Sequence, residues 1–364
     1  MTIITSNAQK NQLRAFLIVV VMASSLFLVT SLINPIGQIS QQQQQYVFAQ
    51  KNIAALPSYN KTSTNNTTFP QIHNYTSSPP APVNSWIIES KNGLVIIDTQ
   101  RQFSEAKKLL KEVENINKPI LGVIFTHHHP DHVNGAAALL NGTTNVPIYA
   151  TQSTFNILKN DTGGYIALSK QLLPSNEYSN QVVLPNMIVK SGENITVDGI
   201  TYHFEDLGIG EADDMMVIYL PLQKIMFTGD IVNNHMHPFF AGAVSPESPS
   251  HISEWIKQIE YLLQKYPEAK TLFPGHGQSG VAKTLLDEQL NYLNTFRSLV
   301  KQQMQLAPKV GGGERAVAGI TEEGKALIKS ELQRLYPSYS PVATLPNMLD
   351  YNIDAVAKEI SQEK

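Results

Sequence analysis

The chain divides into stretches with different hydrophobic rhythms. VNSWIIES and LVIIDT are two β-rich runs separated by the turn residues KNG, which predicts a hairpin beginning near residue 83. Phe103, Ala106, Leu109, Leu110 and Val113 then recur at helical spacing. PILGVIFTH is a buried-strand pattern that ends in histidines, and a helix-like segment, VNGAAALL, follows it. A second series repeats the plan. ITVDGITYHF, MMVIYLP and KIMFTGD read as strands, and TLFPGHG as a short strand running into a glycine-rich turn. Between them Ile252, Trp255, Ile256, Ile259 and Leu263 mark one face of a helix that Pro267 ends. Helical patterns dominate from about residue 279, with Thr321 as a helix cap and Leu349, Ile353, Val356 and Ile360 as the apolar face of the last helix. The repeated series predicts an α/β fold of two face-to-face sheets with helices outside, an αββα sandwich over residues 83–310. Residues 311–364 form a helical C-terminal extension packed on it.

The N-terminus breaks this pattern. Residues 15–33 (AFLIVVVMASSLFLVTSLI) carry no charge, and Lys10 and Arg14 precede them. That uniform apolarity predicts a signal peptide or membrane anchor over residues 1–37, with a small-residue cleavage pattern at Val47-Phe48-Ala49. The positive-inside bias places everything after residue 40 outside the cytoplasm, secreted or tethered to the membrane. Residues 38–82, with QQQQQ and SSPPAP, have too little apolar surface to fold and read as a disordered polar linker. Glycosylation sequons at Asn60, Asn65, Asn66, Asn74, Asn141, Asn160 and Asn194 agree with an exterior location.

Composition narrows the chemistry. A net charge of −3 supplies no basic face, so nucleic acid is not an expected partner. With no cysteine, any metal must sit on His, Asp or Glu. The segment Thr126-His127-His128-His129-Pro130-Asp131-His132 follows an apolar strand and precedes a helix. On extended backbone His127, His129 and Asp131 share a face while His128 points away, and His132 comes round as the chain turns. Three imidazoles and a carboxylate converging at a strand end are a metal site.

THHHPDHVNG resembles the HxHxDH signature of the metallo-β-lactamase superfamily, and later landmarks follow in order. Asp230 in MFTGD matches the bridging carboxylate of that family, and His276 in FPGHG matches a ligand of the second metal. Where many members place a histidine, this chain reads Gly210-Glu211-Ala212-Asp213-Asp214, similar to the alkylsulfatase branch, in which a glutamate is the ligand. The resemblance implies two divalent ions: zinc foremost, with manganese or iron admitted by the oxygen-rich ligands. It assigns His127, His129 and Glu211 to the first ion, Asp131, His132 and His276 to the second, and Asp230 to both, with Asp213 or Asp214 open as alternatives to Glu211. Asp131 is also the expected catalytic residue. The implied activity is hydrolysis of a small-molecule substrate by a hydroxide held between the metals, on an ester such as an alkyl sulfate. Opening of a β-lactam or lactone is the alternative, and iron-dependent redox chemistry of the same superfamily is a further one. Three carboxylates against two dications leave bound water less acidified than a histidine at position 211 would. His235 and His237, in NNHMHPFF, are expected to line the pocket, where either would bind substrate or protonate a leaving group; His203, His251 and His73 are given no role. Larger alkylsulfatases carry a lipid-carrier-like domain that this chain is too short to hold, so the likeness rests on the metal site.

Overall fold

The computed structural model describes residues 70–363 other than 80, 144, 163, 179–181, 241–248 and 307–319. By its internal contacts the chain separates into Met1–Asn65 and Asn66–Lys364, and every described residue belongs to the second unit. The apolar stretch 15–33, the sequons at Asn60, Asn65 and Asn66, and the boundary expected at residue 310 all lie outside the described residues. Among the described residues no helix is long and apolar enough to cross a membrane.

Two six-stranded sheets face each other. The first contains β1 (Gln71–Thr76), β2 (Asn84–Glu89), β3 (Leu94–Ile97), β4 (Ile120–Ile124), β5 (Ile148–Ala150) and β6 (Met187–Ile188), in that spatial order. The second runs β13 (Gly280–Val281), β12 (Thr271–His276), β10 (Ile225–Asn233), β9 (Met215–Leu220), β8 (Ile200–Gly208) and β7 (Asn194–Val197). Alternation along each strand divides the core. Trp86, Ile88, Val95 and Ile97 point inward and meet Tyr202, Phe204, Met216, Ile218 and Phe227 of the opposite sheet. Ile87, Leu94 and Ile96 point outward and are covered by Leu109 and Val113 of α1 (Phe103–Ile116), with Leu139 and Leu140 of α3 (Ala136–Leu140). Between these helices the short α2 (Pro130–Val133) carries part of the histidine motif. Helices α4 (Gln152–Asn160) and α5 (Tyr165–Leu172) follow β5 in the chain.

The outer face of the second sheet is covered by α6 (Ile252–Lys265) and α7 (Ala282–Leu306), and then by α8 (Glu322–Leu335) and α9 (Met348–Gln362). Trp255, Ile259, Leu293, Phe296, Ile328, Leu332, Ile353 and Val356 are buried in one cluster with Met215, Val217 and Met226. The αββα architecture and the helical C-terminal part are therefore as expected. Thr321 caps α8, its side chain accepting from the Gly324 amide at 3.1 Å. A short parallel pair, β11 (Met236–His237) with β14 (Ser340–Pro341), ties the chain after Asp230 to the C-terminal extension.

One boundary differs. Strand β1 lies within 38–82, the stretch read as linker, so folded chain begins by residue 70. QIHNYT is too polar to announce itself by burial. It is held as an edge strand by an unbroken antiparallel ladder to β2, from Gln71↔Glu89 to Thr76↔Asn84, and by His73 Nε2 at 2.7 Å from Glu89 Oε2.

Candidate metal centre

Strand β4 delivers the histidine motif to the end of the first sheet, and β10 and β12 bring Asp230 and His276 to the same end of the second. Glu211 arrives on the loop between β8 and β9. Two groups of potential ligand atoms result. His127, His129, Glu211 and Asp230 form one, and Asp131, His132 and His276 the other, each within 4.8 Å. Asp230 faces both groups: Oδ2 is 3.9 Å from His127 Nε2 and 3.3 Å from His276 Nε2, while Oδ1 is 3.3 Å from His132 Nε2. Glu211 Oε2 is 3.5 Å from His129 Nδ1. Asp131 Oδ2 is 3.4 Å from His276 Nε2, and Asp131 keeps a quarter of its side chain exposed while the other carboxylates of the cluster are buried.

The neighbours of these histidines fix their tautomers. Thr126 Oγ1 donates to Asp98 Oδ2 at 2.8 Å, so it accepts from His127 Nδ1 at 2.9 Å and leaves Nε2 as the bare nitrogen. His132 Nδ1 donates to Asp98 Oδ2 at 2.7 Å, and His276 Nδ1 donates to the Pro82 carbonyl at 2.6 Å. Each of the three therefore turns Nε2 inward. His128 points away, with Nδ1 2.5 Å from Asp214 Oδ1. That hydrogen bond occupies Asp214, and Asp213 joins neither ligand group, so of the three acids in the segment Glu211 is the one at the centre.

Glycines make the close approach possible. A Cβ on Gly275 would lie 2.1 Å from Asp230 Oδ1, and one on Gly229, at φ +50°, would lie 2.6 Å from Thr126 Oγ1. Asp98 itself sits at φ 60°, a conformation uncommon for a non-glycine residue, and spends it on aiming one carboxylate at Thr126 and His132.

Electrostatics follow from packing three carboxylates and four imidazoles out of water. Burial, reinforced by Asp230, pushes the Glu211 carboxyl well above its ordinary range. Burial pushes His127 well down, and together with His128 takes His129 down to about 4, so both are neutral. For His132 and His276 the surrounding carboxylates, Asp230 foremost, outweigh burial; His276 is raised to about 10 and His132 well above the usual range. Burial alone would raise Asp230, but His276 and His132 hold it far below the carboxylate range.

The donor set fits divalent cations. His127 Nε2 and Glu211 Oε2 are buried and, among the described residues, have no hydrogen-bond partner; both are on groups that a cation would satisfy. The protons that His132 and His276 otherwise need to offset Asp131 and Asp230 are the charge that metal would replace. His127, His129, Glu211 and Asp230 would hold one ion, and Asp131, His132, His276 and Asp230 the other.

His235 and His237 belong to neither ligand group. His237 is buried, with Nδ1 2.7 Å from the Tyr292 hydroxyl, and joins neither ligand group. His235 is exposed at φ 58° and stacks on Tyr339, with ring centroids 5.6 Å apart. The β11–β14 pairing draws both toward the C-terminal extension, a long-range contact that the local sequence does not announce. His203 bonds Asn194 on the β7–β8 hairpin and His73 bonds Glu89, both away from the centre. The sequence assigns no role to Asp98, Thr126, Pro82 or Gly275. The one available signal was Asp98, an acid closing the apolar run LVII as Asp230 closes its own strand.

The superfamily model described as "Metallo-beta-lactamase superfamily" matches residues 78–276, more than half of the chain, and the chain belongs to that superfamily. Its members bind divalent metals, usually zinc. Among individual relatives, the linear primary-alkylsulfatase of a Pseudomonas species is 25% identical over 231 residues, 56% of this chain and 43% of that enzyme. The type 2 metallo-beta-lactamase of Bacillus cereus is 24% identical over 213 residues, 58% of this chain and 73% of that enzyme. A solved double mutant of the sec-alkyl sulfatase PisA1 superposes with a TM-score of 0.56 at 21% identity, over 79% of this chain and 49% of that one. The chain thus spans less than half the length of the alkylsulfatases it matches.

Proposed function

We propose that the protein hydrolyses an ester, with alkyl sulfates as the substrate class, using two divalent cations held by the seven residues of the centre. The observation that carries this reading is Glu211. A buried carboxylate completes the ligand group in which a histidine would favour lactam opening, and a linear primary-alkylsulfatase is among the relatives. When bound, the cations supply Lewis acidity: they make water a better nucleophile near neutral pH and offset charge that develops on the leaving group.

The protein's own groups supply the rest. Asp98, through Thr126 and directly, keeps the Nδ1 protons of His127 and His132 pointed outward, and the Pro82 carbonyl does so for His276. Asp131 is the carboxylate of the cluster with surface open to solvent, and His132 and His276 overcome its burial to keep it ionised. It is therefore the group placed to accept a proton from a water molecule at the mouth of the site. The buried, low-dielectric surroundings strengthen each of these interactions.

Lactam or lactone hydrolysis is the second reading, favoured by the similarity to the Bacillus cereus β-lactamase. The experiment is sulfate release from a short-chain alkyl sulfate by zinc- or manganese-loaded full-length protein, with His129→Ala beside it. The expected result is metal-dependent release that drops at least about 100-fold in the variant. Protein holding two metals that opens a lactam or lactone and releases no sulfate would replace the first reading with the second.

A further inference from the structure

We propose that the folded part of this protein is an N-glycoprotein, with oligosaccharide carried on Asn74, Asn141, Asn160 and Asn194. The inference rests on the expectation that the chain beyond residue 40 lies outside the cytoplasm, and it is independent of the metal centre's substrate.

The first observation is in the sequence. All seven Asn-x-Ser/Thr triplets end in threonine: Thr62, Thr67, Thr68, Thr76, Thr143, Thr162 and Thr196. Serine is as common as threonine in this chain, so composition alone would make several of the seven end in serine. The hydroxyl two residues on is the part of the triplet that enzymatic glycosylation requires, and it is uniform here.

The second observation is placement. All four sequon asparagines among the described residues are exposed. Asn74 lies on β1 and Asn194 on β7, the outermost strands at one edge of each sheet. On extended backbone residues i and i+2 share a face, and Asn74 Nδ2 lies 3.0 Å from Thr76 Oγ1, so amide and hydroxyl are presented together. Asn194 takes a bond from His203 Nδ1 through its oxygen at 2.8 Å, a contact that does not engage the side-chain nitrogen. The other two are at chain reversals. Asn141 caps the end of α3 at φ 44°, and Asn160 ends α4 before Asp161 at φ 47°. None of the four is a residue of the metal centre.

Placement also gives the sugar a purpose. A free strand edge offers unpaired backbone groups to other chains, and bulky hydrophilic cover is one way to block it. Glycans on Asn74 and Asn194 would shield one edge of each sheet of the sandwich.

The reaction needs a lipid-phosphate-linked oligosaccharide and a membrane transferase facing the exterior. The asparagine side-chain nitrogen bonds to the anomeric carbon of the sugar, the carbon–oxygen bond to the phosphate breaks, and the lipid phosphate leaves. One amide proton passes to a base of the transferase.

The test is tandem mass spectrometry of glycopeptides from the full chain, recovered from the medium and membranes of cells that naturally make it. The expected result is sugar on the four asparagines. Asn141→Gln and Asn160→Gln should each remove one glycan's mass. Thr143→Ala and Thr162→Ala should do the same while keeping the asparagine, and so separate sequon-directed transfer from other modification. Unmodified asparagine at all four positions would overturn the proposal, as would recovery of the protein from the cytoplasm alone. Sugar that persists in both threonine variants would overturn it too.

Discussion

At the scale of residues, the centre is built by neighbours as much as by ligands. The motif from Thr126 to His132 is legible in the sequence because one strand end carries most of it, so spacing alone brings its donors together. Asp98 is not legible in that way, since its role exists only once β3 lies beside β4. One of its oxygens accepts from both Thr126 and His132, two bonds that orient two ligands. Asp98→Asn tests this without disturbing the backbone, because asparagine tolerates the same left-handed conformation. The amide can no longer offer a charged acceptor to both partners. We expect metal affinity to fall about 10- to 100-fold, read by competition with a chromophoric chelator, with the secondary structure unchanged. Wild-type affinity for both ions would show that Asp98 serves the backbone turn alone.

At the scale of elements, alternation and helical periodicity identify the strands and helices whose apolar faces are buried. They miss β1 and the pairing of β11 with β14, which are held by backbone ladders and distant contacts rather than by their own hydrophobicity. Sheet and helix are also joined by a polar staple. Glu205 on β8 accepts from Lys265 at 2.5 Å, Tyr266 at 2.7 Å and Tyr261 at 2.8 Å, tying the second sheet to α6 and the residue that ends it. Burial alone would raise this carboxyl, but the hydrogen bonds from Lys265 and the two tyrosines win and take it down to about 2 from an ordinary value of 4.5. A carboxyl lowered in the folded state contributes stability that is present above its unfolded value and lost as pH falls through its folded one. The staple should therefore weaken between about pH 4.5 and 2. In urea unfolding across that window, Glu205→Gln should start less stable than the wild type and lose less on acidification. Parallel curves for the two proteins would remove Glu205 from the account.

At the scale of the whole molecule, the two-layer plan was legible because the series of elements repeats, once for each sheet with its helices. The C-terminal extension was legible as amphipathic helices. That it packs on the sandwich was legible too; which face receives it was not, because the sequence does not say that Ile328, Leu332, Ile353 and Val356 share a core with α6, α7 and the second sheet. The two sheets are also tied to each other by side chains of β2. Asn84 Nδ2 donates to the carbonyls of Pro274 at 3.1 Å and Gly277 at 2.8 Å, and Trp86 Nε1 donates to Pro274 at 3.0 Å.

The Pro82 carbonyl that receives His276 Nδ1 makes the place where the chain is cut a matter of chemistry. A peptidase acting after Ala49 would leave that carbonyl and β1 untouched, whereas a chain beginning at Val83 would lack both. The shortened form should bind its second metal at least about tenfold more weakly than a form beginning at Asn66, by calorimetric titration of the two side by side. Equal titrations would mean that water replaces Pro82 without loss. Trimming the polar stretch back to the first obvious strand is thus no neutral edit, for maturation or for protein production: the last residue removed is the one that holds His276 in place.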